Sequence, residues 1–331
     1  MNQDLILESS IPIILYLQSL GEGFVGVMKL FTFLGNEEFY LILFPLLFWC
    51  IDNRLGFRAG MILLLSGCMN SYFKWIFRLP RPYWINDEVI AYTTETSFGA
   101  PSGHSQNAVA MWGLIAASIQ KPWAWVAAIF LIFMIGLSRM VLGVHFLLDV
   151  ITGWIIGAVL LWVFLRLEPY IYKWIADISL RKKVLISFLG STGLIFAAML
   201  ILWGLSFWEV PNLWVQNAQL ASPGAESITP LALSGVISNA AVLFGVSAGY
   251  SVMNQLGGFN TKGKITHQVV KYIIGIIGVL MLWMGLGFIF PEGETIISFI
   301  FRFVRYGLVG LWISLGAPWI FVKFKLADPS Q

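Results

Sequence analysis

Three short polar segments stand out in this strongly apolar chain because they group cations, imidazoles and a carboxylate at short spacing. Their polar residues are Lys74, Arg81, Ser102, Gly103, His104, Arg139, His145 and Asp149. They include two of the three histidines of the chain. This set suits displacement at phosphorus, in which cations hold the anion, one histidine attacks phosphorus and the other protonates the leaving oxygen.

His145 and Asp149 are four residues apart, so on a helix they share a face and can touch. A carboxylate on one imidazole nitrogen fixes the tautomer and makes the other nitrogen a better nucleophile. The same spacing can also hold zinc. The neighbouring cations would repel a divalent ion, so we predict an anionic substrate, no metal and no other cofactor.

The second segment, Pro101-Ser-Gly-His104, precedes an apolar run. Ser102 is a candidate N-cap, Gly103 lets the backbone approach a ligand, and the free N–H groups of a helix start bind anions. Arginine grips phosphate oxygens in pairs, and lysine acts as a point charge. Taken singly, each segment also has a structural explanation, a capped turn or cations that reach toward lipid headgroups. Their combination favours a phosphate site.

The composition indicates a membrane protein, because 58% of the residues are hydrophobic and only 11% are charged. A soluble domain would carry roughly a quarter charged residues. We predict an all-α integral membrane protein, a helical bundle of about nine transmembrane spans, with no nucleic-acid partner. The predicted spans are about 38–52, 56–76, 103–120, 122–140, 146–166, 183–207, 230–250, 268–290 and 297–322. Glycines interrupt residues 9–34, which we interpret as interfacial helices or one more crossing.

The distribution of lysine and arginine predicts the orientation. With these spans, most of the 20 Lys and Arg residues fall on one side, which the positive-inside rule makes cytoplasmic together with the C-terminus. The three polar segments then share the opposite face, which is periplasmic, extracellular or lumenal.

The three segments resemble the signature motifs of the type 2 phosphatidic acid phosphatase superfamily, which also includes vanadium haloperoxidases. They read Lys-x6-Arg-Pro, Pro-Ser-Gly-His and Ser-Arg-x5-His-x3-Asp, and all match without substitution and in the expected order. The resemblance covers about residues 38–166. The stretch 92–107 also resembles sphingoid-base-phosphate phosphatases.

This resemblance implies a role for each motif residue. His145 would attack phosphorus and carry a phosphohistidine, Asp149 would orient it, and His104 would protonate the leaving oxygen and then activate water. The phosphoryl oxygens would be held by Lys74, Arg81, Ser102, Gly103 and Arg139. Family members of this kind need no metal.

The chain beyond the motifs is predicted to contribute membrane helices. We divide it into N-terminal interfacial or membrane helices at 1–37, a catalytic phosphatase core at 38–166 and additional C-terminal spans at 167–331. Arg302 and Arg305 are three apart in the last predicted span, where buried charge is costly. We predict that they bind the substrate headgroup; an ion pair with the nearby glutamates or with lipid is the structural alternative.

The sequence thus predicts a membrane lipid phosphatase whose partners are the bilayer and a lipid phosphate, with no prediction of oligomeric state. Candidate substrates are undecaprenyl diphosphate, phosphatidic acid, phosphatidylglycerol phosphate and a sphingoid-base phosphate. Two alternatives stay open. The first is a non-catalytic lipid-phosphate binder or transporter, which the presence of both histidines disfavours. The second is a vanadate-dependent haloperoxidase-like enzyme, which the membrane character disfavours because those enzymes are mostly soluble.

Overall fold

The computed structural model describes residues 9–330, and the regular secondary structure in that range is entirely helical. The α-helices are α1 (Ile11–Ser19), α2 (Glu22–Phe33), α3 (Glu37–Leu46), α4 (Asn53–Phe77), α5 (Pro82–Ile85), α6 (Gly103–Ile119), α7 (Pro122–Val141), α8 (Leu147–Ala176), α9 (Leu180–Gly204), α10 (Asn212–Ala221), α11 (Ser234–Gln255), α12 (Ile265–Leu280), α13 (Leu286–Ile289), α14 (Ile296–Leu311) and α15 (Ala317–Lys323). π-Helical turns occupy Leu47–Ile51, Met281–Gly285 and Trp312–Gly316. The predicted all-α class is confirmed.

Six continuous helical stretches in the described range are long and apolar enough to cross a membrane. They are Pro122–Val141, Leu147–Ala176, Leu180–Gly204, Ser234–Gln255, Ile265–Ile289 and Ile296–Lys323. A seventh crossing results if α1 and α2, which meet at a bend of 110°, form one broken span. The chain is therefore an integral, multi-pass membrane protein.

The predicted count of about nine spans is not confirmed, and the differences lie before residue 121. The predicted span 38–52 is α3, which contains Pro45 and gives way to a π-helical turn after 10 residues. The predicted span 56–76 lies in α4, whose last turns carry polar side chains including Lys74. The predicted span 103–120 is α6, only 17 residues long. A helix needs about 20 apolar residues to cross the hydrocarbon core, so each of these falls short in length or in apolar character.

Two compact units make up the chain, and both are discontinuous in sequence. The first contains residues 9–39, 69–162 and 200–232, and the second contains 40–68, 163–199 and 233–330. All residues of the three polar motifs belong to the first unit. The predicted three-part division along the chain stays a prediction.

In the first unit, close helix packing brings the second and third motifs together. α6 packs against α7, and α2 packs on α7. α8 approaches α6 through Gly153 and Gly157: a Cβ on Gly153 would lie 2.6 Å from the carbonyl oxygen of Ser102, and one on Gly157 would lie 2.6 Å from that of Gln106. Small residues four apart let helix backbones approach closely in membranes. This approach places the first turn of α8, with Asp149, beside Ser102, whose backbone N–H donates to the Asp149 carbonyl at 2.9 Å.

The second unit has a similar helix contact, between α11 and α14. A Cβ on Gly245 would clash with the backbone of α14 at Gly307, so the glycine is required for this approach. Near the π-helical turn Leu47–Ile51, the fully buried Trp49 donates from its indole N–H to the Ile313 carbonyl at 2.8 Å. Lys271 is also fully buried there, and its Nζ donates to the carbonyl oxygens of Trp49 and Thr261, both at 3.1 Å.

Candidate active site

The predicted nucleophile, His145, is buried in the turn between α7 and α8, and its ring lies between a carboxylate and a guanidinium group. Nδ1 is 3.3 Å from Oδ2 of Asp149, and Nε2 is 3.3 Å from Nη1 of Arg81. Arginine can only donate, so Nε2 holds the lone pair and Nδ1 carries the proton that points to Asp149. The predicted His145–Asp149 contact is confirmed, although His145 precedes α8 rather than lying on it. The geometry leaves the lone pair on Nε2, the nitrogen that faces Arg81.

The surroundings keep the His145 ring neutral. Burial lowers the pKa of His145 well below its ordinary value, and the cations of Arg81 and Arg139 lower it further. Only the neutral imidazole has a lone pair with which to attack phosphorus. The ring is therefore in its nucleophilic form at neutral pH.

Asp149 is itself held by the backbone. Oδ2 accepts from the N–H of Phe146 at 2.9 Å, and the residue is fully buried. Its second oxygen, Oδ1, is buried with no hydrogen-bond partner within residues 9–330. A Cβ on Gly99 would lie 3.1 Å from Oδ2 of Asp149 and still closer to the Pro80 carbonyl, so only glycine allows the loop to pass here.

The predicted acid, His104, lies in the first turn of α6, and Ser102 caps this helix as predicted. The Ser102 hydroxyl accepts from the Ser105 N–H at 3.5 Å and from the Ser105 hydroxyl at 3.1 Å. Nε2 of His104 is 2.8 Å from Oδ1 of Asn36, in the turn after α2. Gly103 lies against Asn70, since a Cβ would be 3.2 Å from its Oδ1. Asn36 thus orients the second imidazole, as Asp149 orients the first.

The loop between α5 and α6 binds the first two cations. Arg81 is fully buried and donates from Nε to the Ser97 carbonyl at 2.7 Å and from Nη2 to the Phe98 carbonyl at 3.1 Å. Its Nη1 donates to the Val144 carbonyl at 3.0 Å. Lys74 donates from Nζ to the Ser97 hydroxyl at 2.7 Å. Each nitrogen of the Arg81 side chain therefore has a protein acceptor, and Lys74 keeps donors available for a ligand.

Arg139 has a different set of partners. Nη1 donates to the hydroxyl of Thr32 at 2.6 Å, and Nη2 donates to Oε1 of Glu95. Its Nε is buried without a hydrogen-bond partner among the described residues. Burial alone would raise the pKa of Glu95, but Arg81 and Arg139 hold that pKa below its ordinary value. Glu95 is therefore an ionised carboxylate inside the cation cluster.

The structure thus brings together all eight motif residues, and it adds partners that the sequence analysis did not assign. These added residues are Thr32, Asn36, Asn70, Glu95 and Ser97. The stretch 92–107 already pointed to a family likeness, so its acidic residue was the one available signal. Thr32 and Asn36 have no such signal, because the sequence indicates only interfacial or membrane helices for residues 1–37.

Arg302 and Arg305 belong to the second unit. Nη1 of Arg302 is 3.5 Å from the hydroxyl of Ser238, and Nη2 of Arg305 donates to the Tyr306 hydroxyl at 3.2 Å. Within residues 9–330 neither arginine forms an ion pair with an acidic side chain. The structural alternative of an ion pair with the nearby glutamates is therefore not observed. Their headgroup role stays a prediction.

Comparison with known proteins matches family models to two parts of the chain, the first of which contains all three motifs. Residues 55–173 match the model of the PAP2 superfamily, and residues 237–329 match that of the PAP2 superfamily phosphatase, transmembrane extension. Glucose-6-phosphatase 3 of Bos taurus is 26% identical over 330 residues, which cover 90% of each chain.

Two further proteins are similar over part of the chain. Sphingosine-1-phosphate phosphatase 1 of Rattus norvegicus is 30% identical over 146 residues, 42% of this chain and 34% of that protein. The crystal structure of a transmembrane PAP2 type phosphatidylglycerolphosphate phosphatase from Bacillus subtilis covers 50% of this chain and 88% of its own, with 26% identity and a TM-score of 0.43. With its three intact motifs in one buried cluster and two matching family models, the chain belongs to the PAP2 superfamily of phosphatases.

Proposed function

We propose that this protein is a metal-independent membrane phosphatase that works through a phosphohistidine at His145. The observation that carries the proposal is the arrangement of the His145 ring, with Nδ1 at 3.3 Å from Asp149 and Nε2 facing the cation cluster. A nucleophile oriented by a carboxylate, next to donors that match an anion, is the arrangement that covalent phosphoryl transfer requires.

In the first step, Nε2 of His145 attacks phosphorus as the bond from phosphorus to the leaving oxygen breaks. The cations and the start of α6 hold the phosphoryl oxygens. The imidazole becomes positively charged, and the carboxylate of Asp149 stabilises this charge through the Nδ1–H. Burial and the cation of Arg139 lower the pKa of His104 in the resting site, and the negative charge of a bound phosphate raises it, so His104 takes up a proton as substrate binds. It then gives this proton to the leaving oxygen, so the alcohol departs neutral.

In the second step, neutral His104 takes a proton from a water molecule, whose oxygen attacks phosphorus. The bond between phosphorus and Nε2 of His145 breaks, which releases inorganic phosphate and restores both histidines. Oδ1 of Asn36, 2.8 Å from Nε2 of His104, orients this ring in both steps and leaves Nδ1 for the proton transfers.

A lipid phosphate is the substrate class that we propose first. The chain is a multi-pass membrane protein, and its relatives include proteins named sphingosine-1-phosphate phosphatase and undecaprenyl-diphosphatase. A lipid held in the bilayer can present its phosphate to a site at the membrane boundary. The candidates remain an isoprenoid diphosphate, phosphatidic acid, phosphatidylglycerol phosphate and a sphingoid-base phosphate.

A phosphorylated sugar is the second candidate, and two observations favour it. The similarity to glucose-6-phosphatases spans 90% of the chain, including the transmembrane extension, whereas the similarity to sphingosine-1-phosphate phosphatase covers 42%. In addition, the exposed Glu37 and Glu38 follow Asn36, the partner of His104. Carboxylates on the leaving-group side are acceptors for the hydroxyl groups of a sugar.

Phosphate release by the purified protein in detergent tests the reaction and ranks the substrates. The panel contains the four lipid phosphates and glucose 6-phosphate, with and without EDTA. We expect metal-independent turnover by the wild type and none by His145→Ala, since His145 is the proposed nucleophile. Normal release by a folded His145→Ala protein, or activity that requires an added divalent ion, would contradict the mechanism.

The excess of Lys and Arg on one side supports an active site that faces the periplasm, the extracellular space or a lumen. Asn86, in the loop that follows α5, gives a test of this orientation. A cysteine at Asn86 should react with an impermeant thiol reagent applied to intact cells. Labelling only after permeabilisation would invert the orientation.

A further inference from the structure

A carboxylate of the chain itself lies where the site should hold a phosphoryl oxygen. Nη2 of Arg139 donates to Oε1 of Glu95, and Oε2 of Glu95 is 3.9 Å from Nη2 of Arg81. Both guanidinium groups belong to the cations that the proposed function assigns to phosphate. A carboxylate that hydrogen-bonds to one arginine and lies within ion-pair distance of a second uses the donors and the charge by which arginine recognises phosphate. The carboxylate of Glu95 and a substrate phosphate therefore compete for the same positions.

The edge of Arg139 that contacts Glu95 is only half occupied. Nε and Nη2 form one edge of a guanidinium group, and their two N–H bonds run parallel enough to grip two oxygens of one anion. Nη2 contacts Glu95, while Nε is buried without a partner among the described residues. The opposite nitrogen, Nη1, is held by Thr32. Departure of Glu95 would free the complete edge for two phosphoryl oxygens.

The backbone of Glu95 is anchored, whereas its side chain has a route to solvent. The Tyr83 hydroxyl donates to the Glu95 carbonyl and accepts from the Glu95 N–H, both at 3.1 Å. The side chain keeps 29% of its surface exposed. Rotation of the side chain can thus release the carboxylate without moving the loop, which Arg81 holds through the Ser97 and Phe98 carbonyls.

We propose that Glu95 determines the affinity of the site for phosphate. In the resting enzyme its carboxylate occupies the position of a phosphoryl group. The substrate's phosphoryl group displaces this carboxylate and then binds the Nε–Nη2 edge of Arg139. This inference rests on the proposed function of the same site. In the resting enzyme the carboxylate offsets part of the positive charge of the buried cations Arg81 and Arg139. It also excludes weakly bound anions, including product phosphate, because every anion that takes the position must displace it.

A neutral isostere tests the exchange. Glu95→Gln removes the competing charge, and Glu88→Gln is the matched control, since Glu88 is an exposed glutamate of the same loop and loses the same charge. We expect Glu95→Gln to lower the inhibition constants of both inorganic phosphate and vanadate by at least about tenfold, as loss of a charge-assisted hydrogen bond implies. Both constants should fall by the same factor, because the displaced group is the same. Glu88→Gln should leave both constants unchanged.

The opposite role for Glu95 predicts the opposite sign. If Glu95 served only to orient Arg139, then Glu95→Gln would raise both constants or leave them unchanged, and either result would overturn the proposal. Should Glu95→Gln fail to fold, Glu95→Asp, shorter by one methylene, replaces it and should lower both constants by a smaller factor; a rise would again overturn the proposal. Stabilisation of the protein by vanadate against heat reports the same affinities without turnover. A wild type that binds vanadate but releases no phosphate would reject the proposed function and still leave the exchange measurable.

Discussion

The buried cations of the two units have partners of different kinds. In the second unit, Lys271 donates to the backbone carbonyls of Trp49 and Thr261, and no acidic side chain lies within ion-pair distance in the described range. In the first unit, Arg139 contacts the side chains of Thr32 and Glu95 and keeps one donor without a partner. Backbone carbonyls within packed helices and turns are fixed next to Lys271, whereas the partly exposed side chain of Glu95 can rotate away from Arg139. We therefore interpret Lys271, whose partners are backbone carbonyls, as a structural cation. We interpret Arg139, which has an exchangeable carboxylate partner and one donor without a partner, as a ligand-binding cation.

Of the two cations, Arg139 should have the larger effect on catalysis, and Arg139→Met tests this because it keeps most of the side-chain volume and removes the charge. The variant loses a charged donor that stabilises phosphoryl oxygens, so kcat/KM should fall by about 10²–10³. Phosphate release under subsaturating substrate measures this change, and a melting temperature confirms folding. A folded variant with kcat/KM near that of the wild type would remove Arg139 from the phosphate site.

Lys271→Met is the matched substitution in the second unit, and it should have the reverse profile. The Trp49 and Thr261 carbonyls lose the Lys271 donor, while the Thr261 carbonyl keeps the donor from Nε2 of Gln268. The loss should cost roughly 1–3 kcal/mol of unfolding free energy for a carbonyl left unsatisfied. The melting temperature should fall, while the specific activity of the folded fraction stays at the wild-type level. Lost activity at an unchanged melting temperature would contradict the distinction between the two cations.

The pH dependence of kcat/KM should also distinguish Arg139 from Lys271. Burial and the cations of Arg81 and Arg139 lower the pKa of His145, so its neutral, attacking form persists below the ordinary range of histidine. Removing the Arg139 charge should raise this pKa and move the acid limb of kcat/KM to higher pH. Lys271→Met should leave the limb in place. The same substrate is used for all variants, so its own ionisation contributes equally to each profile. An acid limb of kcat/KM that does not move in Arg139→Met would contradict an effect of the Arg139 charge on the pKa of His145.

The smallest effect is expected at Arg305, whose Nε is also buried without a partner in the described range and whose guanidinium group stacks on Tyr306 at 4.9 Å. If Arg302 and Arg305 bind a substrate headgroup, Arg305→Gln should raise KM for a lipid phosphate severalfold and leave a small soluble phosphate ester unaffected. Arg302→Gln and the double variant test the pair. Unchanged lipid kinetics in all three would assign both arginines to structure.

Part of the geometry of the candidate site could be predicted from the sequence because it depends on local spacing. The four-residue interval from His145 to Asp149 produced the predicted contact, and Ser102 caps α6 as predicted. Both relations form within one turn of the chain, where backbone geometry leaves few alternatives. The number of membrane spans was harder to predict, because helices near the site carry polar groups or are short. Apolar content alone could not separate crossings from shorter helices.

The sequence by itself determined the chemical inventory, the family and the membrane character, since these depend on residue types and on their spacing along the chain. Only the tertiary structure decided which groups surround each member of that inventory. Thr32, on α2, and Asn36, in the turn after α2, contact Arg139 and His104, which lie more than 60 residues further along the chain. Glu95 accepts a hydrogen bond from Arg139, which lies 44 residues further along the chain. Contacts over such distances depend on how helices pack and loops close, and no local periodicity records them.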